Sequence, residues 1–578
     1  MGKYKKYSYL IVLPILVAIS FLFFQFVYPY HMFFKEQVQL FVFSTDYFLS
    51  YFNKPAWLAC YAGDFLTEFF YLRGGGPTVL AFVFSMEWLI GVIVIKRICD
   101  TSHAWLWALL PVAADWILQC GILHGLSSSI GYIVVLALFL IYSVSKIRWM
   151  ALLSGIAITF TGYWLAGSLF LVLPILMICF DWKHGRNNVL NWVLFFASVV
   201  VVPFYFRSFY LLTLHQSFIY PALEDKSLFL QLSLIFAVSL AIFVKLFEFK
   251  GIQNLIIYFS SVFIALFAGG IWLNANFNFE KILSLDSEFY FGNTDRVLEL
   301  SQKYNIKDRR ASYFTNMALA RKGLLPEYLL NFYQPAASGL ILPVAPDENW
   351  QSIFISSEVF FLLGDMNLAQ HSAMLGNTFS PWQRSSRMIK RLAEINLVNE
   401  DSTAANKYLR ILSKTLFHKK WAESRQAMNH GSVSNKWLIE KRDQIPNIDT
   451  IRLSNNYLAS LSFLVEQNPK NLIALDYLLC FHLLNKDLKS FMKVYDQFGR
   501  LNKRPVPSVY SEALLIHLIT SQATQSEALS YAINPKKLKD FADYSQLYEK
   551  TKGDMNALKD RFGKSYWFYY HFATILKK

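Results

Sequence analysis

The chain has 578 residues, 54% of them hydrophobic and 17% aromatic, with only 16% charged and a formal net charge of +15. Soluble domains carry about 25% charged residues, so a wholly soluble chain is excluded, and so much aromatic surface excludes a disordered one. The five cysteines (Cys60, Cys99, Cys120, Cys179 and Cys480) lie far apart without a Cys-x-x-Cys, which argues against a disulfide framework and a zinc site.

Lys3, Lys5 and Lys6 precede residues 8–30, a stretch of 23 positions without a charge. At about 1.5 Å per residue it crosses a hydrocarbon core of about 30 Å. No small-x-small cleavage pattern follows, so it reads as a retained first span with its amino end in the cytoplasm. Further apolar stretches lie near 77–95, 103–123, 128–145, 149–181, 188–206, 227–245 and 252–273. Residues 149–180 run for 32 positions without a charge; one helix of that length is about 48 Å, too long for a single span. Two helices turning near Thr161-Gly162-Tyr163-Trp164 resolve this and set the side of everything downstream.

Positive charge arbitrates. With that turn, Lys96, Arg97, Lys146, Arg148, Lys183, Arg186, Lys245 and Lys250 are cytoplasmic, while Arg207 and Lys226 lie outside. The reading is about nine spans, amino terminus inside and carboxyl half outside. Much of the positive charge then records orientation, and nucleic acid is not indicated as a partner.

The first outer loop, His31 to Gly76, concentrates acids and aromatics. Residues 35–52 and 55–73 both read as juxtamembrane amphipathic helices. In the second, Asp64 and Glu68 are four apart and share a face. In the first, Glu36 directly follows the first span, with Gln37 and Gln39 beside it. Neighbouring carboxylates at an apolar boundary acquire raised pKa values or share a divalent cation, and either suits acid–base work; the competing reading is a solvated edge of interfacial helices. Arg73 with Gly74, Gly75, Gly76 and Pro77 suggests a cradle for a lipid-linked phosphate, against a plain linker before a helix. Glu87 and Asp115 lie inside spans, where acids are functional candidates, and His124 lies at the outer end of the third span.

After Phe279 charges appear at a soluble frequency with helical periodicity. Three stretches have the pattern of tetratricopeptide hairpins. One carries Gly364 and Ala369; another Leu392, Ala393, Ala405, Leu409 and Leu412; the third Pro469, Tyr477, Phe481, Ser490 and Val494. Such stacks present curved surfaces to protein partners. Residues 334–349 read as a turn cluster, and 566–572 (YWFYYHF) as a buried capping helix rather than a membrane-surface anchor. His371, His418, His430, His482 and His517 show no metal-ligand spacing. The fold class is therefore all-α, with a transmembrane domain over 1–279 and a helical-repeat domain over 280–578.

From YPYHMFFKEQVQLF through GDFLTEFFYLRGGG to YWFYYHF, the chain resembles a family of uncharacterised bacterial membrane proteins frequent in the Bacteroidetes. That resemblance implies an envelope location in a Gram-negative cell and gives no reaction. The membrane half is more distantly similar in layout to the GT-C class of glycosyltransferases, which move sugar from a polyprenyl-phosphate donor with a loop carboxylate as base. Carried over, Glu36 takes the loop-acid position, Asp46, Asp64 and Glu68 are alternates, and Arg73 with the glycines lies near the donor phosphate. The chain departs from better-known members in having no Asp-Glu or Asp-x-Asp pair right after the first span. The leading expectation is a GT-C-like transferase. The alternatives are a membrane-anchored scaffold for an envelope complex, and a lipid or solute transporter working through Glu87 and Asp115.

Overall fold

The structure is a computed structural model, and it describes residues 2–575 except 102, 146–147, 187, 224–225, 227, 247–251, 345–349, 430–435, 449, 451–455 and 502–503. Lys146, Lys250, His430 and the end of the 334–349 turn cluster thus lie outside the described residues, as do the side chains of Lys3, Lys5, Lys6 and Arg148. Among the described residues the chain is helical throughout, without strands. It divides into two compact units. The first comprises Met1–Glu280 together with Arg384–Ser386 and Ile411–Lys420; the second comprises Lys281–Gln383, Arg387–Arg410 and Trp421–Lys578.

In the first unit, α1 (Gly2–Leu22) runs into a π-helical turn, Phe23–Val27, and the chain bends by 80° into α2 (Tyr30–Gln37). The N–H groups of Tyr30 and His31 at the start of α2 donate to the Glu280 carboxylate at 2.5 and 2.9 Å, which satisfies donors that the helix itself leaves open. The expected amphipathic helix over 35–52 is broken: α2 ends at Gln37, and helix resumes in α3 (Thr45–Ser50) and a 3-10 turn. Aromatic and β-branched residues over Val38–Phe43 favour extended backbone. Phe43 N–H donates to the Lys414 carbonyl at 2.7 Å instead of continuing a helix, and Ser44 caps α3. The second loop helix forms as α4 (Trp57–Thr67) and tightens into a 3-10 turn, Glu68–Tyr71.

Next come α5 (Gly75–Cys99), the short α6 (Ala104–Trp107) and α7 (Leu109–Gln119), then α8 (Leu126–Val144), α9 (Arg148–Ala166) and α10 (Leu173–Lys183). They are followed by α11 (Val189–Tyr210), α12 (Leu214–Ile219), α13 (Leu228–Leu246), α14 (Ile252–Asn274) and α15 (Phe277–Tyr290). α5 packs against α1 and α8, and its Phe84 stacks on Trp116 of α7 with ring centres 5.5 Å apart.

Among the described residues, five helices are long and apolar enough to cross a membrane, or up to seven if each sharply bent pair is one span. The expected nine spans further include 103–123 and divide 149–181 in two. The expected span at 103–123 is made of α6 and α7, each too short alone. The apolar stretch Ala151–Lys183, 33 residues long, folds back on itself. Tyr142 donates to Asp181 at 2.7 Å, and its ring would also lie 3.3 Å from a Cβ placed on Gly155. Residues that far apart in a straight helix would be separated by about 39 Å. The turn lies at Gly167 (φ +64), a few residues beyond the expected Thr161–Trp164, because α9 stays helical to Ala166.

Gly167 is required twice over: its backbone is left-handed, and a Cβ would stand 2.4 Å from the Tyr220 carbonyl oxygen. Gly167→Ala is expected to destabilise the first unit by about 1–3 kcal/mol or more. The check is the melting temperature of the detergent-purified chain, which should fall. An unchanged value contradicts this account of the turn.

In the second unit, helices Trp350–Leu363 and Met366–Phe379 are joined through Gly364, with Asp365 accepting from Leu368 N–H at 3.1 Å. Ala369, Ala393, Ala405 and Tyr477 are buried, as helical hairpins at those positions require. Asn471 and Asp487 cap the helices Leu472–Leu484 and Leu488–Gln497. The helix Tyr566–Phe572 closes one end: Tyr566 and Tyr569 donate to the carbonyls of Leu483 and Leu484 at 2.9 and 2.7 Å, and Trp567 donates to that of Glu512.

Candidate functional site

Successive residues of a helix project about 100° apart, so Lys35 and Glu36 at the end of α2 face different surroundings. Glu36 is buried, and its Oε1 accepts from Ser386 Oγ at 3.0 Å and lies 3.5 Å from His418 Nε2. The backbone beyond it is held by the same returning segments of the first unit. Ser385 Oγ donates to the Gln37 carbonyl at 2.7 Å, and Ser386 N–H donates to the Gln39 carbonyl at 2.8 Å. Tyr71 packs on both Phe417 and His418, with ring centres 5.5 and 5.1 Å away.

α4 supplies the other acids. Gln39 donates to the Asp64 carbonyl at 3.1 Å, and Phe41 N–H donates to Glu68 Oε1 at 3.3 Å, which anchors the extended segment to the helix. Glu68 is buried, and its carboxyl is pushed up to about 8, first by burial and then by the neighbouring charge of Glu36, with Asp64 adding to it. Asp64 is partly buried and accepts from the Tyr51 hydroxyl at 2.7 Å, and Tyr51 meets Tyr47 at 2.9 Å. Burial raises the Asp64 carboxyl to about 6, against the Tyr51 hydrogen bond and the charge of Arg384, whose guanidinium lies over the Tyr47 ring. Around Phe41, the rings of Phe43, Tyr47, Tyr61 and Phe65 form an aromatic shell, all within 5.7 Å between centres. This cluster thus places two carboxyl groups that bind their protons more tightly than usual beside the Glu36 carboxyl and the His418 ring, a set able to take and return a proton.

Lys35 faces a second polar cluster. Its Nζ donates to the Gln119 carbonyl and side-chain oxygens at 2.9 and 3.2 Å. Gln119 donates to Ser129 at 2.8 Å, and Ser129 donates to Asp115 Oδ2 at 2.6 Å. His124 Nε2 lies 3.4 Å from Asp115 Oδ1. Glu87 is buried beside Asp115.

The expected site residues therefore separate into groups. Glu36, Glu68 and Asp64 come together; Glu87, Asp115 and His124 form the second cluster. Asp46 is exposed at the first turn of α3. Arg73 is exposed in the turn before α5. A Cβ on Gly75 would lie 2.1 Å from the Phe69 carbonyl oxygen, and one on Gly76 2.7 Å from Met32 Sδ, so close packing fills that space. Gly74 supplies the left-handed turn before α5, at φ +84. Among the described residues no group of three or more His, Cys, Asp or Glu could hold a metal ion.

Reasoning from sequence missed Lys35, Ser385, Ser386, Arg384 and His418. A lone lysine between Phe34 and Glu36 looks like an interfacial side chain. The other four lie some 350 positions beyond Glu36, and no local spacing joins them to it. No curated protein and no solved structure matches the chain. A family model described as a family of unknown function, DUF6057, matches residues 3–573, and the chain belongs to that family.

Proposed function

We propose that the chain is a polytopic inner-membrane protein that transfers a sugar or related group from a polyprenyl-phosphate donor to an envelope acceptor. The observation that carries this reading is the burial of Glu36 and Glu68 side by side, with His418 3.5 Å from Glu36. In this reading Glu36 removes the proton of an acceptor hydroxyl, whose oxygen forms the new bond to the anomeric carbon. The bond from that carbon to phosphate breaks, and its electron pair leaves on the polyprenyl phosphate. Glu68 holds the charge of the site low, and Arg384, whose charge reaches Asp64, is the cation offered to the departing phosphate. The amino terminus is cytoplasmic and the helical-repeat half periplasmic, the arrangement that the loop charges favour; a reporter fused after Lys578 tests it.

The test is release of polyprenyl phosphate from a polyprenyl-phosphate-linked sugar by the purified chain in lipid nanodiscs. Glu36→Gln is expected to slow it by about 10²–10⁴-fold, the usual contribution of a general base. Release that is unaffected by Glu36→Gln, or absent from the wild-type chain with every donor tried, overturns the proposal.

A second reading, a non-catalytic scaffold built on a tetratricopeptide-like domain, is favoured by one observation. The turn expected to hold the donor phosphate is filled by Phe69, Phe70 and Met32. In that case amides at Glu36 and Glu68 leave the protein's role in the cell intact.

A further inference from the structure

Within the second unit, a cavity of about 100 Å³ opens among Tyr290, Arg321, Phe361, Arg387, Lys390, Arg391, Trp437 and Lys441, with Glu358 and Glu394 also in its wall. The two acids are already engaged. Glu358 accepts from Arg387 at 3.0 Å and from Arg391 at 2.5 Å, and Glu394 accepts from Arg391 at 2.6 Å. Arg387 is further matched by Asp286, which accepts from both ends of its fork at 2.9 and 2.8 Å.

Three cations are left over. Arg321, Lys390 and Lys441 make no ion pair among the described residues; each instead stands over an aromatic ring. Arg321 lies 4.9 Å from the Phe289 ring centre, Lys390 4.9 Å from that of Tyr290, and Lys441 5.0 Å from that of Phe361. Lys441 spends its hydrogen bonds on the Phe361 carbonyl and Gln444, at 3.2 and 2.8 Å, and so contributes charge rather than donors. Among the described residues, exposed Arg321 and half-buried Lys390 donate to no protein acceptor, and Arg391 Nε is buried without a partner. A wall with surplus positive charge and unused N–H donors calls for a ligand with several acceptor oxygens and more than one negative charge. The volume accommodates several water molecules, and thus a group of that size.

We propose that this cavity binds a phosphoryl group, presented as free phosphate, a sugar phosphate or a lipid phosphate monoester. The site lies apart from the loop acids and does not depend on the transferase reading. Burial, then the charges of Arg391 and Arg321, lower the Lys441 ammonium to about 7, while Glu394 and Glu440 act in the other direction. A dianion bound among them restores its proton, so binding near neutral pH is accompanied by proton uptake.

The experiment is calorimetric titration of the full chain in detergent with inorganic phosphate, at constant ionic strength and in two buffers of different ionisation enthalpy. Saturable binding with proton uptake is expected, weakened about tenfold or more in Arg321→Ala/Lys390→Ala, whose melting temperature without phosphate should match wild type. Lys441→Met should abolish the proton uptake, and it serves as the second variant if the first fails to fold. Competition by phosphatidic acid in nanodiscs identifies a lipid headgroup as the source; competition by a sugar phosphate alone identifies a soluble one. No saturable binding, an equal response to chloride, or equal affinity in the double variant overturns the proposal.

Discussion

Arg387→Met is expected to destabilise the second unit by about 3–5 kcal/mol, the range found when one partner of a buried ion pair is removed. The Arg387 side chain is 1% exposed, and its fork satisfies Asp286 through two bonds and Glu358 through one nitrogen shared with Asp286 and a second. Its guanidinium also lies 5.1 and 5.6 Å from the ring centres of Tyr290 and Phe354, so packing is lost along with charge. Methionine would leave the Asp286 carboxylate buried without a counter-ion, whereas Glu358 keeps Arg391. Burial pushes the Asp286 carboxyl up and Arg387 opposes that, so the variant should take up a proton at Asp286. Asp286→Asn combined with Arg387→Met should therefore cost less than the sum of the two single changes. Arg387→Lys keeps a charge but not the planar fork and should remain clearly destabilised. Denaturant unfolding of the purified chain, followed by helicity, reads all four. A single-variant effect within about 1 kcal/mol would contradict a structural role for this network.

Glu68→Gln is expected to stabilise the chain in alkaline solution while disabling the proposed chemistry. The folded Glu68 carboxyl is raised to about 8 from the ordinary 4.5 by burial and by Glu36. Between those values the folded chain binds more protons than the unfolded one, so this group's contribution to stability is intact below about 4.5 and is lost as pH rises through about 8. A glutamine never ionises and is spared that loss. The groups facing Glu68 titrate too: Asp64, at about 6, loses stability in the same direction over a lower window. Melting curves from about pH 5 to 9 should nearly coincide at the acidic end, separate progressively as pH rises and run parallel above about 8, with the variant then melting higher by roughly the equivalent of 2–4 kcal/mol. Curves parallel over the whole range would mean that Glu68 is ionised at every pH tested.

The helices themselves were legible because their signals are local. The first span, the α4 stripe and the hairpins around Gly364 and Asn471 all follow from apolar periodicity, a small turn residue or a capping side chain. The fold-back in the long apolar stretch was legible from length alone, and Gly167 rather than Gly162 makes the turn because Tyr220 closes upon it. Tertiary contacts decided what local signals could not. Gln39–Phe43 leaves the helix because Phe43 and the backbone around Gln39 bond to the segments near Lys414 and Ser386. The clustering of Asp64 and Glu68 was visible from helical spacing, yet their link to Glu36, Ser386 and His418 depends on chain that returns from far downstream. Gly75 and Gly76 pack so closely on Phe69, Phe70 and Met32 that neither position has room for a Cβ.

The proposed acid–base role of the Glu36–Glu68 pair is tested most directly by the ionisation of Glu68 itself. Infrared difference spectra of the wild-type chain against Glu68→Gln, recorded across pH, isolate the protonated carboxyl band of this residue. The band should persist through neutral pH and fall to half near pH 8. Its disappearance near the ordinary glutamate value of 4.5 would show a carboxylate already ionised at neutral pH, and would contradict the account.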